Sequence, residues 1–187
     1  RRMSSMAVLL ASAPGVQEEV DSGAAQALGK RFGAVYAALA RDFGVAEFQF
    51  HRPSGEPFVV LQQEAQAGAA EFVPTDLIVA SGARRALSSG LEASPQALRV
   101  RAVAPILRDG RHLGSLVFGT TIAQDALQAF KDDNVADVAI HVPDGGRFRT
   151  VASTLGERAI LPDERLKAVL AGGAWHDERD LDGVPRA

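Results

Sequence analysis

Two apolar runs joined by an Asp-Gly dipeptide constrain this chain more than any other feature of its sequence. The first run extends from Leu98 to Leu107 and the second from Leu113 to Thr121, with Asp109-Gly110 between them. Asp-Gly favours the left-handed turn that joins two antiparallel strands, and both runs are rich in strand-forming residues. The sequence therefore predicts a long antiparallel hairpin.

The chain before this hairpin begins with helical periodicity. Residues Met3 to Leu10 show a short apolar pattern at helix spacing, which stops at Pro14-Gly15. Apolar residues then recur every three or four positions from Ala25 to Phe43, which predicts an amphipathic helix with one face towards a core. Asp21-Ser22 is suited to cap the start of this helix, and Gly44 is suited to end it.

A switch to a period of two marks the first strand. Phe48 and Phe50 alternate with Glu47, Gln49 and His51, so the aromatic rings share one face of a strand and the polar side chains share the other. Before the hairpin, the other predicted elements are a strand at Phe58–Gln62, a loop or lid at 63–72 and a helix from Pro74 to about Gly90. After the hairpin we predict a short helix whose core-facing side carries Ile122, Ala126, Leu127 and Phe130. Strands at Ala136–Val142 and Phe148–Ser153 and a helix at Pro162–Leu170 follow.

Composition is that of an ordinary globular protein and removes several classes of function. Hydrophobic residues make up 47% of the 187 residues and charged residues 23%, so the chain is able to bury a core. The net charge of -3 provides no basic surface for phosphates, so we expect no nucleic-acid partner. The chain has no cysteine, which excludes thiol catalysis, thiolate metal sites and disulfides.

Motifs of the common enzyme classes are missing. There is no Gly-x-Ser-x-Gly, no Walker A loop and no Gly-x-Gly-x-x-Gly after a strand. No histidine has metal-ligand spacing outside His176-Asp177-Glu178, which we interpret as a solvated end. We therefore predict no enzymatic activity, no metal and no cofactor. The chain opens with Arg1-Arg2 and ends on Pro185-Arg186-Ala187, so we expect a piece of a longer protein.

Several phrases of the sequence resemble the double Cache sensor domains of bacterial chemoreceptors and two-component sensor kinases. One strand motif of that family is similar to the segment Phe48-Gln49-Phe50-His51-Arg52-Pro53. The resemblance continues at Gly90-Leu91-Glu92, at residues 100–106 and at residues 109–119, and residues 136–138 are similar to the start of the family's second module. These motifs are mainly structural, so they indicate a fold more strongly than a ligand.

The resemblance implies an α+β fold with a long N-terminal helix, a PAS-like antiparallel sheet and the start of a second, smaller PAS-like module. Residues 1–20 would be the N-terminal helix segment, residues 21–132 the membrane-distal Cache module and residues 133–187 a partial membrane-proximal module. The resemblance also implies the periplasmic part of an inner-membrane receptor. Its membrane segments would lie outside this chain, and it would form a homodimer through the N-terminal helix.

Five polar residues on predicted strands are the candidate ligand contacts. Gln49 and His51 share the polar face of one strand, and Arg101 lies on the polar face of another. If these faces coincide, Arg101 would anchor the carboxylate of an organic acid or amino-acid-like ligand, and the other two would orient it. Ser115 and Thr121 alternate along a third strand and would reach the same cavity.

Three functions stay open at this point. In the first, a sensor, ligand binding shifts the N-terminal helix and biases an output domain such as a kinase, a chemotaxis module or a diguanylate cyclase. In the second, a structural dimerisation module, no small ligand binds. In the third, a small α/β-class enzyme uses His51 and Glu92 as acid and base. The alternative interpretation of Arg101 is an ion pair with Glu47 or Glu92 on an exposed sheet face.

Overall fold

A computed structural model describes most of the chain. The described residues are 2–61, 75–93, 98–122, 124–134, 136–156, 161–173, 179–181 and 184–186. The chain divides into two compact units, Arg1–Ile122 and Ala123–Ala187. The loop predicted at 63–72 and the segment His176-Asp177-Glu178 lie outside the described residues. Among the residues that are described, no helix combines the length and the apolar character needed to cross a bilayer.

Three helices open the described part of the first unit, and Pro14 and Gly15 separate the first from the second. They are α1 (Arg2–Ala11), α2 (Val16–Asp21) and α3 (Ala25–Phe43). Proline cannot continue a helix without losing a hydrogen bond. Gly15 has a φ of 81°, a left-handed value that residues with a side chain rarely adopt. The predicted amphipathic helix is confirmed as α3.

The two ends of α3 differ in how well the sequence predicted them. Gly44 has a φ of 63° and its N–H bonds to the carbonyl of Ala40 at 3.1 Å, so the predicted end is confirmed. The predicted N-cap at Asp21-Ser22 is wrong, because α3 begins at Ala25 and no side chain caps it. The carboxylate of Asp21 instead accepts hydrogen bonds from Arg111 in the sheet, the shorter at 2.8 Å.

An antiparallel sheet of five strands completes the first unit. Its strands in chain order are β1 (Glu47–His51), β2 (Pro57–Val60), β3 (Ser88–Ala93), β4 (Leu98–Arg108) and β5 (Arg111–Ile122), and their spatial order is β2-β1-β5-β4-β3. The predicted hairpin is confirmed as β4 and β5. Asp109 and Gly110 at its turn have φ values of 51° and 75°, as a two-residue antiparallel turn of this type requires.

Helix α4 (Asp76–Arg84) precedes β3 in the chain. The sequence predicted that this helix continues to about Gly90, and that prediction is wrong. Arg85 has a left-handed φ of 50° and ends the helix, and Ser88–Ala93 pairs along its whole length with β4. The local sequence of β3 has no clear period, so the hydrogen bonds to β4 decide its conformation.

The two faces of the sheet carry apolar cores of different size. Helices α1, α2 and α3 pack against one face, where the rings of Phe48 and Phe118 meet edge to face at 5.6 Å within a large cluster of buried residues. On the other face, which we call the α4 face, Ile78 of α4 packs against Val103 and Val117. This second cluster is small, so polar side chains occupy much of the α4 face.

The described residues of the second unit form two small antiparallel hairpins and two helices. Its elements are α5 (Gln124–Asn134), β6 (Ala139–Asp144), β7 (Arg147–Ser153), α6 (Asp163–Leu170), β8 (Arg179–Leu181) and β9 (Val184–Arg186). The predicted strands and the later helix are confirmed as β6, β7 and α6, whereas β8 and β9 had no sequence prediction. Both units mix helices with antiparallel strands, which confirms the predicted α+β class.

Candidate functional site

The α4 face brings together the polar residues that alternate along three neighbouring strands. Gln49 lies beside Val117 and His51 beside Ser115 in the register of β1 and β5. Arg101 on β4 lies beside Gly119, two residues beyond Val117 on β5, and therefore on the same face. The polar faces that the sequence predicted separately therefore coincide. Side-chain contacts then divide their residues into two clusters.

The first cluster, which we call the arginine cluster, consists of Arg101, Glu47 and Glu92. Glu47 receives two hydrogen bonds of 2.6 Å, one from Nε and one from Nη2 of Arg101. Glu92 receives a third, of 2.5 Å, from Nη1. The ion pair considered as an alternative for Arg101 is therefore present, with both of the glutamates named. It is also largely buried, because the side chains of Arg101, Glu47 and Glu92 are only 13%, 7% and 15% exposed.

The arginine cluster contains two carboxyl groups and one guanidinium. Burial disfavours the charged form of Arg101, but the hydrogen bonds and charges of Glu47, and then those of Glu92, outweigh it and raise the pKa of Arg101. The guanidinium therefore stays protonated.

Gly119 of β5 provides the space that the arginine cluster needs. A Cβ atom at this position would lie 2.7 Å from Oε2 of Glu47 and 3.3 Å from Cγ of Arg101. The side chains of β1 and β4 meet over β5 only because Gly119 has none. A glycine inside a strand often marks such a close approach, and this signal was available in the sequence.

Glu92 also connects the arginine cluster to helix α4. Its Oε1 accepts a hydrogen bond of 3.2 Å from the backbone N–H of Leu77, the second residue of α4. The first N–H groups of a helix have no partner within the helix, and Thr75 at the N-cap position makes no capping bond with its side chain. Glu92 therefore acts as a cap that is supplied by the sheet.

The second cluster, which we call the histidine cluster, consists of His51, Gln49, Ser115 and His112. The Nδ1 of His51 lies 2.6 Å from the carbonyl oxygen of Gly55, and its Nε2 lies 2.8 Å from the amide of Gln49. The Nε2 of His112 lies 3.2 Å from Oγ of Ser115. His51 is 1% exposed, so the protein itself satisfies both nitrogens of a buried ring.

The hydrogen bonds define the tautomer of His51. The carbonyl of Gly55 only accepts, so Nδ1 carries the proton and donates it. Burial lowers the pKa of His51 more than the Gly55 carbonyl and the charge of Glu47 raise it, so the ring is neutral and Nε2 is an acceptor. The structure places Oε1 of Gln49 at 2.8 Å from Nε2, so a neutral ring requires the Gln49 amide to be turned by about 180° to present its N–H group, an assignment made from this network.

Sequence periodicity did not identify His112 as a member of this face. His112 and Ser115 are three residues apart, which would place them on opposite faces of a regular strand. Ile106 pairs with Gly114 and Leu107 with His112, so Leu113 is an extra residue in β5. This bulge turns Leu113 into the large core and returns His112 to the α4 face.

The buried, neutral His51 predicts a pH dependence of stability. Its pKa in the folded state lies below the 6.5 of an ordinary histidine, so the unfolded chain binds more protons in acid. The contribution of His51 is therefore complete above about pH 6.5 and is lost as the pH falls towards the folded-state pKa. We expect the free energy of unfolding, measured with urea, to decrease from pH 7.5 to pH 5.5.

The variant His51→Gln should remove part of this pH dependence, since glutamine retains hydrogen-bonding capacity but does not titrate. His141 of the second unit, a less buried histidine whose pKa burial also lowers, provides the control. His141→Gln should keep most of the slope between pH 7.5 and pH 5.5. A His51→Gln slope equal to that of the unmodified protein would contradict the prediction.

A cavity of about 290 Å³ lies between α4 and the turn that joins β1 to β2. Gly55, Ile78, Gly82 and His112 are among the residues that line it. Its volume is close to the lower limit for small-molecule sites. Because His112 belongs to the histidine cluster and Gly55 accepts a hydrogen bond from His51, that cluster lies at the wall of this cavity.

Thr121 is the candidate contact that joins neither cluster. It lies opposite Arg99 near the end of β5, beyond the arginine cluster, and is partly buried. The structure thus brings Gln49, His51 and Ser115 together, holds Arg101 between two glutamates, and leaves Thr121 at the margin of the face. Within the described ranges, no three His, Asp or Glu side chains are grouped as metal ligands would be.

The fold agrees with what comparison with known proteins shows. The model of the family described as the double sensory domain of two-component sensor kinases matches residues 1–182. The chain belongs to this double Cache family, whose members are sensory domains and not catalytic ones. No curated protein matches the chain.

Two solved structures from Vibrio are similar to this chain in fold. A domain of a sensory box/GGDEF family protein from Vibrio parahaemolyticus is 13% identical with a TM-score of 0.53, over 78% of this chain and 65% of that one. The periplasmic domain of Vibrio cholerae LuxQ is 12% identical with a TM-score of 0.52, over 98% of this chain and 87% of that one. The chain thus spans about two thirds of the first structure and most of the second.

Proposed function

We propose that the first unit is the ligand-sensing module of a bacterial transmembrane receptor and that it binds a small anionic molecule on the α4 face. The observation that carries this proposal is the burial of three charged side chains, those of the arginine cluster, on the face with the smaller apolar core. Buried ion pairs contribute little net stability, and such groups are concentrated at functional sites.

The proposed contacts are Gln49, His51, Arg101, Ser115 and Thr121. Arg101 would bind the carboxylate of an organic acid or amino-acid-like ligand, and the histidine cluster would contact the rest of the molecule. Because the two glutamates already bind all three nitrogens of Arg101, the ligand carboxylate would replace one glutamate and not add to the two.

The proposed relay runs through the sheet to the N-terminal helices. Ala7 and Ala11 of α1 and Val16 of α2 are buried in the large core, on the opposite face of the strands that carry Arg101 and Ser115. A small displacement of β4 or β5 would therefore reach α1 directly. We further propose a periplasmic location, inner-membrane attachment and a module organisation of residues 1–20, 21–132 and 133–187.

A thermal-shift screen with carboxylates, amino acids and polyamines tests the proposal. A true ligand at a hundredfold excess over its Kd should stabilise the protein by about 2.7 kcal/mol. The variant Arg101→Lys keeps the charge but loses the two-point geometry, so it should weaken the response. Arg111→Lys, which alters an exposed arginine, should leave it unchanged. A response that Arg101→Lys leaves intact would reject Arg101 as the anchor.

The relay and the homodimer are tested on the same protein with a single cysteine. Leu9 of α1 is an exposed apolar residue, and the chain has no cysteine of its own. Leu9→Cys should form a disulfide between two copies, and the ligand found in the screen should change its rate of formation. A rate that does not respond to the ligand would reject the relay through α1.

A dimerisation module without a ligand is the second candidate. Its support is that the glutamates of the arginine cluster already occupy all three nitrogens of Arg101. This candidate predicts Leu9→Cys disulfides in a protein that no compound in the screen stabilises.

A further inference from the structure

The carboxylate of Glu92 bridges two donors that belong to different elements. Its Oε2 binds Nη1 of Arg101 at 2.5 Å, and its Oε1 binds the backbone N–H of Leu77 at 3.2 Å. A buried guanidinium on β4 and a backbone N–H that has no partner within α4 thus converge on one carboxylate. These two donors form a carboxylate-binding site that the protein fills with its own side chain.

We propose that Glu92 is an internal ligand that holds α4 in a resting position and that the carboxylate of the sensed molecule displaces it. This inference rests on the proposed function, because it describes how an anionic ligand reaches Arg101. In the bound state the ligand carboxylate takes the bonds to Arg101 and Leu77, so α4 is no longer tied to β3.

Geometry makes Glu92, and not Glu47, the glutamate that leaves. Glu47 accepts two hydrogen bonds from Arg101 and lies on β1, which has a strand on each side. Glu92 makes one hydrogen bond to Arg101 and lies on β3, at the edge of the sheet. It is also the more exposed of the two glutamates. Its side chain therefore has the shorter path to solvent.

Charge also favours an exchange over an addition. A third carboxylate beside Arg101 would lie against two buried carboxyl groups and would find no guanidinium nitrogen that is not already bound. Replacement of the Glu92 carboxylate by a ligand carboxylate leaves the charge of the arginine cluster unchanged, while Glu92 itself becomes hydrated. The exchange therefore buries no additional charge.

The remaining attachment of α4 defines how the helix can move. Ser81 is fully buried and its Oγ lies 2.9 Å from the carbonyl oxygen of Ala86 and 3.1 Å from that of Val103 on β4. This hydroxyl fixes the C-terminal half of α4 to the sheet. Exchange of Glu92 for the ligand thus changes the attachment of the N-terminal end of α4 from β3 to Arg101 on β4, and this end of the helix can shift about Ser81.

Chemical rescue of Glu92→Ala tests the proposal without knowledge of the natural ligand. The substitution removes the internal carboxylate and leaves its two donors in place. In 100 mM sodium acetate the midpoint of thermal unfolding should rise by roughly 3 °C relative to sodium chloride of equal ionic strength. The unmodified protein and Glu92→Gln, in which a side chain of the same size fills the site, should change by less than roughly 1 °C.

Two further measurements test whether acetate binds at Arg101 and Leu77. Arg101→Lys in the Glu92→Ala background should reduce the acetate response. Hydrogen exchange of the Leu77 amide should become about tenfold faster in Glu92→Ala than in the unmodified protein, and acetate should slow it again. If Glu92→Ala does not fold in chloride, the yield of refolded protein in acetate replaces the unfolding midpoint, and equal yields in the two salts overturn the proposal.

The outcomes separate this inference from the proposed function. An acetate response equal in all variants, or none in Glu92→Ala, overturns the internal ligand. A compound from the screen that binds Glu92→Ala and the unmodified protein with the same affinity also overturns it, yet leaves the sensor intact. Rescue by acetate with no hit in the screen supports the internal ligand and counts against the sensor.

Discussion

Replacement of Arg101 with alanine is expected to lower the free energy of unfolding of the first unit by about 3–5 kcal/mol. The substitution would leave Glu47 and Glu92 buried without the cation that binds both of them. Breaking a buried ion pair costs far more than the pair contributes, because the remaining charge keeps its desolvation penalty. Urea denaturation at pH 7.5 measures the difference directly.

Arg111 provides the matched control for this prediction. Its side chain is 65% exposed, and it also pairs with a carboxylate, that of Asp21 at 2.8 Å. Arg111→Ala should cost less than about 1 kcal/mol, because solvent screens an exposed ion pair. Equal and small losses in the two variants would show that burial of the arginine cluster has no energetic consequence.

Gly114→Ala is expected to destabilise the first unit by about 3 kcal/mol or more. A Cβ atom at this position would collide with the carbonyl oxygen of His51 and would lie 3.3 Å from Cγ1 of Val20. The main obstacle is the backbone of a neighbouring strand, which no change of rotamer can relieve. The expected result is separation of β1 from β5, with displacement of His51.

Gly29→Ala is the control for an added methyl group. Gly29 lies inside α3, and a Cβ atom there would have no other atom within 4 Å. Alanine in such a helix position should increase stability by roughly 0.5–1 kcal/mol. Both variants receive the same urea denaturation experiment, and hydrogen exchange of the β1 amides reports on the sheet. A Gly114→Ala protein as stable as the unmodified one would refute the steric argument.

Local patterns were sufficient for the elements that a short stretch of chain specifies. The Asp109-Gly110 turn selects the β4–β5 hairpin because both residues tolerate left-handed φ values. Strict alternation around Phe48 separates polar from apolar faces, so it also predicted which residues share the α4 face. Local patterns failed at Ser88–Ala93, where pairing with β4 decides the conformation.

The candidate site likewise has a part that the sequence predicted and a part that only the structure revealed. The sequence by itself determined that Gln49 and His51 share one face of their strand, because side chains alternate with a period of two. That Arg101 lies on the same sheet face was decided by the pairing of both strands with β5. Only the tertiary structure decided what these residues contact. Glu47 is 54 residues from Arg101 in the chain, and the two meet because β5 passes between them with a glycine at position 119.

His112 illustrates the remaining gap between sequence and structure. One extra residue in β5 places His112 on the opposite face from the one that periodicity predicts, and no local motif in the sequence indicates this bulge. The arginine cluster depends likewise on strand order, which arises from packing of the whole sheet. The sequence thus determined the polar face as a surface, whereas long-range pairing of the strands decided that Arg101 is held by Glu47 and Glu92.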